Sequence, residues 1–368
     1  MKILFTTDSL QGGGTERVLT ILANNLIKRE DYEIVIVSRI KKQDYEIDKR
    51  VKIICFDKSY EEAKKKNQRL KRYYIQYKEL KKIIKQEKPD IAVSMMQVSI
   101  YPLMFLCRGK CPVVFSEHFS MQTSINFKQD FERRFVLPFA DKVTILTRHD
   151  RAYLGNRMKN KTVMYNPLSF PVMSEKEYLD SFDNRKNILA CGDIDRYIHK
   201  GFDNLIHSFA KIADKYPNWQ IDIAGQGSDE SKNYLLSIAK QYNIDKRINF
   251  LGFRKDINDL MKQHSFYVLS SRYEGFPMVL LESMTCGCPC VAFDCVSGPS
   301  EIIVDNIDGL LIEDQDNEAF ALGMQTMIED KEKRKTMGLR SLTNIQRFST
   351  DIVINRWNRL FKQLYKTK

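Results

Sequence analysis

Short β-rich runs alternate with helical segments along nearly the whole chain, and this alternation comes in two series. The first series of runs is 2–6, 33–37, 51–55, 91–94, 113–116 and 143–146, with helical segments such as 15–28 and 73–86 between them. The second is 188–191, 220–224, 248–251, 266–269, 290–293 and 309–312, after which the pattern turns helical. A strand that reaches its neighbour through a helix must run parallel to it, so each series predicts a parallel sheet covered by helices. Between the series the polar stretch 174–187 has no strand of its own. The 368 residues exceed what one hydrophobic core usually serves, and a hydrophobic content of 43% supplies material for two. The expectation is therefore an α/β protein of two doubly wound, Rossmann-like domains at 1–170 and 188–345, a linker at 171–187 and a final helical segment at 346–368. That segment carries Ile352, Trp357, Leu360, Phe361 and Leu364 at helical spacing.

No apolar run is long enough to span a bilayer, and Met1-Lys2-Ile3-Leu4-Phe5-Thr6-Thr7-Asp8 reads as a first strand because it turns polar too soon for a signal peptide. The eight cysteines are scattered through apolar segments and read as reduced thiols of a cytoplasmic protein. Cys286, Cys288 and Cys290 alternate around a turn but lack the Cys-x2-Cys pairs of a zinc site, so they read as packing. The formal net charge of +12 calls for a partner or surface that tolerates positive charge. Basic residues concentrate between Glu61 and Lys88, where Leu70, Tyr73, Tyr74, Tyr77, Leu80 and Ile84 follow helical spacing. Two readings of this basic amphipathic helix stand: an ordinary surface helix with its apolar face on the core, or contact with an anionic membrane face. Nucleic acid is disfavoured as a partner.

Candidate chemistry gathers at the ends of the runs. The first turn, Gln11-Gly12-Gly13-Gly14-Thr15-Glu16, lets backbone approach a ligand closely. It is no dinucleotide fingerprint, because the second run ends near Ser38-Arg39 rather than on an acid. Lys200-Gly201 precedes a helix start, where the lysine can set a point charge on a phosphate oxygen. Asp193-Ile194-Asp195 invites a metal reading but is taken as a turn. The densest signal is Glu274-Gly275-Phe276-Pro277-Met278-Val279-Leu280-Leu281-Glu282, two carboxylates across a turn into a helix. Pro277 suits the first helical position, and amides near Phe276, Met278 and Val279 would face an anion together with the positive end of the helix dipole. Glu282, expected about two turns further in, has the two acceptor oxygens that a ribose diol needs.

The order of these segments resembles the donor site of retaining glycosyltransferases of family 4, which have the GT-B fold. The resemblance also rests on Gly192 to Leu205, on Gly225-Gln226-Gly227, on Leu251-Gly252-Phe253, on Ser297-Gly298-Pro299-Ser300-Glu301 and on Asp308-Gly309-Leu310-Leu311. It implies two domains facing across a cleft, with the last helix crossing back to the first. It implies a nucleotide-sugar donor, most simply a UDP-sugar, held without a metal or other cofactor. His118, Lys200 and Glu274 become the catalytic candidates. Gly13, Gly14, Arg196, Lys200, Gly227, Phe253, Arg254, Glu274, Gly275, Phe276, Pro277, Met278, Val279 and Glu282 become the donor-binding ones. The family's usual arginine before the lysine is replaced by Asp193, which leaves Arg196 as the nearest substitute. Arg254 is either a base or phosphate contact or a surface residue. The implied reaction is transfer of a hexose or N-acetylhexosamine to a glycan or lipid-linked glycan in surface-polysaccharide synthesis, at the inner face of the cell membrane. A sugar epimerase or phosphorylase could share the architecture.

Overall fold

A computed structural model describes all residues except 12, 96, 123–126 and 367–368. Two compact units emerge: Met1–Pro167 together with Thr350–Lys368, and Leu168–Ser349. Among the described residues the first unit carries seven strands, β1 (Lys2–Thr7), β2 (Glu33–Ser38), β3 (Lys52–Cys55), β4 (Ile91–Ser94), β5 (Val113–Ser116), β6 (Lys142–Ile145) and β7 (Lys161–Val163). The order is β3-β2-β1-β4-β5-β6-β7, parallel throughout. β7 went unforeseen because three half-buried residues at a sheet edge carry almost no apolar signal.

The second unit holds β8 (Lys186–Cys191), β9 (Ile221–Ala224), β10 (Ile248–Gly252), β11 (His264–Leu269), β12 (Cys290–Phe293) and β13 (Gly309–Ile312), in the parallel order β10-β9-β8-β11-β12-β13. Every residue of β9, β11 and β12 is buried, as expected of strands covered on both faces. Ile188, Ile223, Phe266 and Val291 anchor the core, against Phe209 and Phe320 from the covering helices.

Residues 171–187 are not a linker. They hold the helix Glu175–Phe182, capped by the Ser174 hydroxyl accepting from the Glu177 amide, and its Tyr178 and Phe182 pack with Met173 and Leu342 inside the second unit. Gly287 and Gly338 leave the room for Tyr178: a methyl group on either would lie 2.5 Å or less from its side chain. The polar composition of the segment describes its outer face, while two aromatics at i and i+4 suffice to dock the inner one.

The basic stretch 61–88 is likewise not one helix. Helices Lys58–Lys65 and Arg69–Glu87 are separated at Asn67, whose φ of 52° is the left-handed conformation asparagine tolerates. The second helix buries Ile75, Leu80, Ile83 and Ile84, whereas Leu70, Tyr73 and Tyr74 lie exposed. Among the described residues no helix is long and apolar enough to cross a membrane. The final helix, Thr350–Lys366, belongs to the first unit, where Phe361 meets Phe5 and Asn355 and Asn358 accept from Arg29 and Tyr32.

Candidate active site

β8 and β11 are neighbours at the point where strand order reverses in the second sheet. Loops leaving their carboxyl ends diverge there, which is where open α/β sheets bind ligands. After β8 the chain runs through Gly192, the turn Ile194–Arg196 and the helical turn Tyr197–Lys200 into the helix Phe202–Ala213. After β11 it runs through Ser270 to Pro277 into the helix Met278–Thr285. Gly201 lets the two loops touch: its φ is +64°, and a Cβ there would lie 1.8 Å from the Ser270 carbonyl oxygen.

The contact joins the two strongest sequence candidates. Lys200 Nζ donates to Glu274 Oε1 at 2.8 Å, the Ser271 hydroxyl donates to the same oxygen at 2.8 Å, and the Ser270 hydroxyl donates to the Lys200 carbonyl at 3.0 Å. The Lys200 side chain is 19% exposed and that of Glu274 11%. Burial alone would raise the Glu274 carboxyl, but the Lys200 ammonium and the Ser271 hydroxyl outweigh it and hold the group below the ordinary carboxylate range. Lys200 keeps two further N–H donors.

Arg196 and His199 complete a basic group here. Burial and then the Arg196 charge push the His199 imidazole down, while Glu274 pulls it up. Sequence reasoning missed His199, and it missed Arg272, which grips the loop from behind. Arg272 donates to both carboxylate oxygens of Asp203 at 2.8 Å and to Asn204 Oδ1 at 3.1 Å, and its amide reaches the His199 carbonyl at 2.9 Å. A basic residue two positions before Glu274 was visible, but its partners lie 68 and 69 residues away in sequence.

Pro277 is not the first helical residue. Its ψ of 109° is extended and makes it the N-cap, with Met278 opening the helix. No side chain caps this end and its first turn holds no acid, which leaves its positive pole to an anion. Phe276 is buried, and its ring meets Phe348 with centroids 5.4 Å apart. Ser297 Oγ donates to the Glu274 and Gly275 carbonyls at 3.2 and 3.3 Å. Gly298 backs the same turn, since a Cβ on it would meet the Gly275 oxygen at 2.7 Å. Glu282 sits four residues past Met278, just over one turn in rather than two, roughly 6 Å along the axis. It is 3% exposed, and its charge reaches Cys191 at the end of β8.

The other candidates are less gathered. Gly227 follows β9 and packs on Ile194, where a Cβ would lie 2.5 Å from that side chain. Phe253 and Arg254 are exposed beyond β10, the edge strand, and Arg254 Nε donates to Asp256 Oδ1 at 2.8 Å. Asp193 and Asp195 serve the turn itself: Asp193 accepts from the Asp195 amide, and Asp195 accepts from the Ser228 amide at 2.8 Å and its hydroxyl at 2.6 Å. Among the described residues no three His, Cys, Asp or Glu side chains converge as a metal site needs. The eight cysteines are free, and burial pushes the thiols of Cys286, Cys288 and Cys290 up.

In the first unit, strand order reverses between β1 and β4. Gly13 caps the helix Gly14–Leu26 beyond β1, and the Tyr45 hydroxyl donates to its carbonyl at 3.2 Å. His118 follows β5, next to β4. Its Nε2 lies 3.1 Å from Ser116 Oγ, which accepts from Thr144 Oγ1 at 2.9 Å. Burial pushes the imidazole down to about 4 and keeps it neutral. The Glu117 carboxylate accepts from the His118 and Phe119 amides and fixes the backbone at this corner.

Two doubly wound parallel units, with a lysine–glutamate pair at the switch point of the second, define a GT-B protein. The family model described as Glycosyltransferase Family 4 matches residues 12–169, and the one described as Glycosyl transferases group 1 matches residues 174–341. The chain belongs to glycosyltransferase family 4. It is 28% identical to the amylovoran biosynthesis glycosyltransferase AmsD of Erwinia amylovora, over 97% of this chain and 98% of that protein. It is 27% identical, over 99% of each chain, to the GalNAc-alpha-(1->4)-GalNAc-alpha-(1->3)-diNAcBac-PP-undecaprenol alpha-1,4-N-acetyl-D-galactosaminyltransferase of Campylobacter jejuni. Among solved structures, Anabaena HepE in complex with UDP and glucose superposes with a TM-score of 0.78 at 19% identity, covering 99% of this chain and 100% of that one.

Proposed function

We propose that the chain transfers a hexose or N-acetylhexosamine from a UDP-sugar to a glycan or lipid-linked glycan in surface-polysaccharide synthesis, with retention at the anomeric carbon. The observation that carries this reading is the Lys200–Glu274 pair beside an uncapped helix N-terminus at the switch point of the second sheet. Lys200 and the Met278 and Val279 amides take the diphosphate, Arg196 adds charge from the neighbouring turn, and Glu282 takes the ribose hydroxyls. As the bond from the anomeric carbon to the diphosphate breaks, these donors stabilise the charge that develops on the leaving oxygen. The acceptor oxygen bonds to the same carbon on the same face and passes its proton to the departing diphosphate. His118, which burial keeps neutral, stands at a strand end beside the first unit's own switch point and is that unit's candidate for a sugar hydroxyl. With Asp193 and Asp195 committed to their turn, diphosphate charge is met by protein donors rather than by a metal.

Relatives support the choice of substrates: HepE is solved with UDP and glucose, AmsD is named for amylovoran biosynthesis, and the Campylobacter enzyme is named for a PP-undecaprenol glycan. The basic residues of 61–88 are the side on which an anionic membrane carrying such an acceptor would be met, which puts the enzyme at the inner face of the cell membrane. The test is release of UDP or GDP from a panel of nucleotide sugars in the presence of lipid-linked glycans, followed by product NMR. An α-linked product from an α-linked UDP donor is expected, and an inverted product would overturn the reading.

A further inference from the structure

One side of the helix Arg69–Glu87 lies mostly outside its own core, with Tyr77 packing partly against it. Leu70, Tyr74, Tyr77, Lys81, Lys85 and Lys88 follow one another at spacings of three and four, hence along one side. The first three are apolar or aromatic and the last three are basic. Leu70 is 86% exposed and Tyr74 66%. From Leu70 to Lys81 the face runs roughly 16 Å, close to half the thickness of a bilayer's hydrocarbon core.

At its basic end this face borders a cavity of about 550 Å³ between this helix and the helix Gln97–Cys107. Among the described residues, four lysines line the cavity, Lys81, Lys85, Lys88 and Lys110, and no carboxylate does. The rest of its lining is largely apolar and includes the Tyr77 and Phe105 rings, 6.2 Å apart. Phe105 is 71% exposed, so the apolar surface continues outward from the cavity. Lys110 is braced by donating to the Leu106 carbonyl at 3.0 Å. Lys88 and Lys110 stand just before β4 and β5, at the amino ends of the strands. His118 follows the carboxyl end of β5, and that strand's four residues at about 3.3 Å each separate the two ends by roughly 13 Å.

We propose that this cavity binds one anionic glycerophospholipid of the membrane, its phosphate among the four lysines and an acyl chain along Tyr77, Tyr74 and Leu70. A free phosphate would leave the apolar face unused, and an acyl chain alone would leave four cations without a partner. The site deepens the membrane contact in the proposed function but does not depend on sugar transfer. Occupation at the amino ends of the strands leaves the carboxyl ends open to substrate.

The test uses the full chain and monomeric short-chain lipid, so that binding at one site is read apart from attraction to a charged surface. Dihexanoyl phosphatidylglycerol should bind saturably at one molecule per chain in NMR titration, with dihexanoyl phosphatidylcholine at least about ten-fold weaker. Lys85→Gln with Lys110→Gln should cost about thirty-fold in affinity, since each basic residue near a lipid phosphate contributes about five-fold. Phe105→Ser, at an exposed position, should weaken the lipid and leave inorganic phosphate unaffected. Lys64→Gln with Lys65→Gln, outside the cavity, should leave monomeric lipid binding unchanged. Equal binding of the two lipids, competition by equimolar inorganic phosphate, or equal losses in the two lysine pairs would overturn the proposal. UDP release with a soluble acceptor, measured on the same variants, should match the unmodified chain. Inactivity of every protein including the unmodified one would count against the transferase reading and leave the lipid result standing.

Discussion

Lys200→Ala removes the ammonium that faces Glu274 at 2.8 Å, and its effect should appear in stability, in pH dependence and in turnover. At that distance and an effective dielectric of about 20, the attraction is about 6 kcal/mol, most of it offset by desolvating the two groups. Stripping one partner from a buried pair costs about 3–5 kcal/mol, and the 19% exposure of Lys200 favours the lower end, about 3 kcal/mol. With a urea slope near 2 kcal/mol/M, the unfolding midpoint of the second unit should fall by about 1.5 M. The chain has two tryptophans, Trp357 in the first unit and Trp219 in the second. A Trp357→Phe background therefore makes Trp219 fluorescence report the second unit alone.

The pH dependence has a definite sign. In the unmodified chain the Glu274 carboxyl is held below its ordinary value of 4.5, so its contribution is present above that pH and is lost as pH falls through the depressed value. Without Lys200, burial dominates and the carboxyl rises, so the variant suffers most near neutrality and regains stability as pH falls through the raised value towards 4.5. Adding Glu274→Gln should restore at least half of the lost stability, because the uncompensated charge is gone. Turnover of Lys200→Ala should fall about a hundred-fold, the usual cost of one donor to developing charge. Additive single and double variants, a stability gap that does not move with pH, and full activity of Lys200→Ala would together refute the electrostatic argument.

Glu282→Ala should weaken UDP binding roughly ten- to a hundred-fold in calorimetry, since hydrogen bonds to a buried charge contribute about 1.5–3 kcal/mol. Unchanged affinity would remove it from the ribose site. Chelation of divalent metal and Asp195→Asn should each leave most activity, because the asparagine carbonyl can still accept from Ser228 and the phosphate donors are untouched. Gly201→Ala should lower the second unit's stability by about 3 kcal/mol or more, through its left-handed backbone and the clash with the Ser270 carbonyl, and UDP affinity should fall with it as Lys200 is displaced. Lys88→Gly should raise the first unit's stability by up to about 1 kcal/mol in thermal unfolding, since lysine closes its helix at a φ of 47°, and should lower lipid affinity in the same protein.

Much of this protein was legible in its sequence. Runs such as Ile91–Ser94 and Cys290–Phe293, apolar on both faces, have no stable setting except inside a covered parallel sheet, so their positions and the α/β class followed directly. Glu274 and His118 could be singled out as candidates because they stand at strand ends, where such sheets leave the chain free to bind. Periodicity, however, reports only which residues share a face and not what covers it. Leu70, Tyr73 and Tyr74 followed the helical spacing as well as Leu80 and Ile84 did, and only the packed structure buried the last two and left the first three in solvent. The same limit hid the docking of 171–187 and the grip of Arg272 on Asp203. The union of Lys200 with Glu274, 74 residues apart, was decided by Gly201 letting one loop meet the other. Pairings of that kind depend on atoms brought together from distant parts of the chain, and a local pattern carries no information about distance in space.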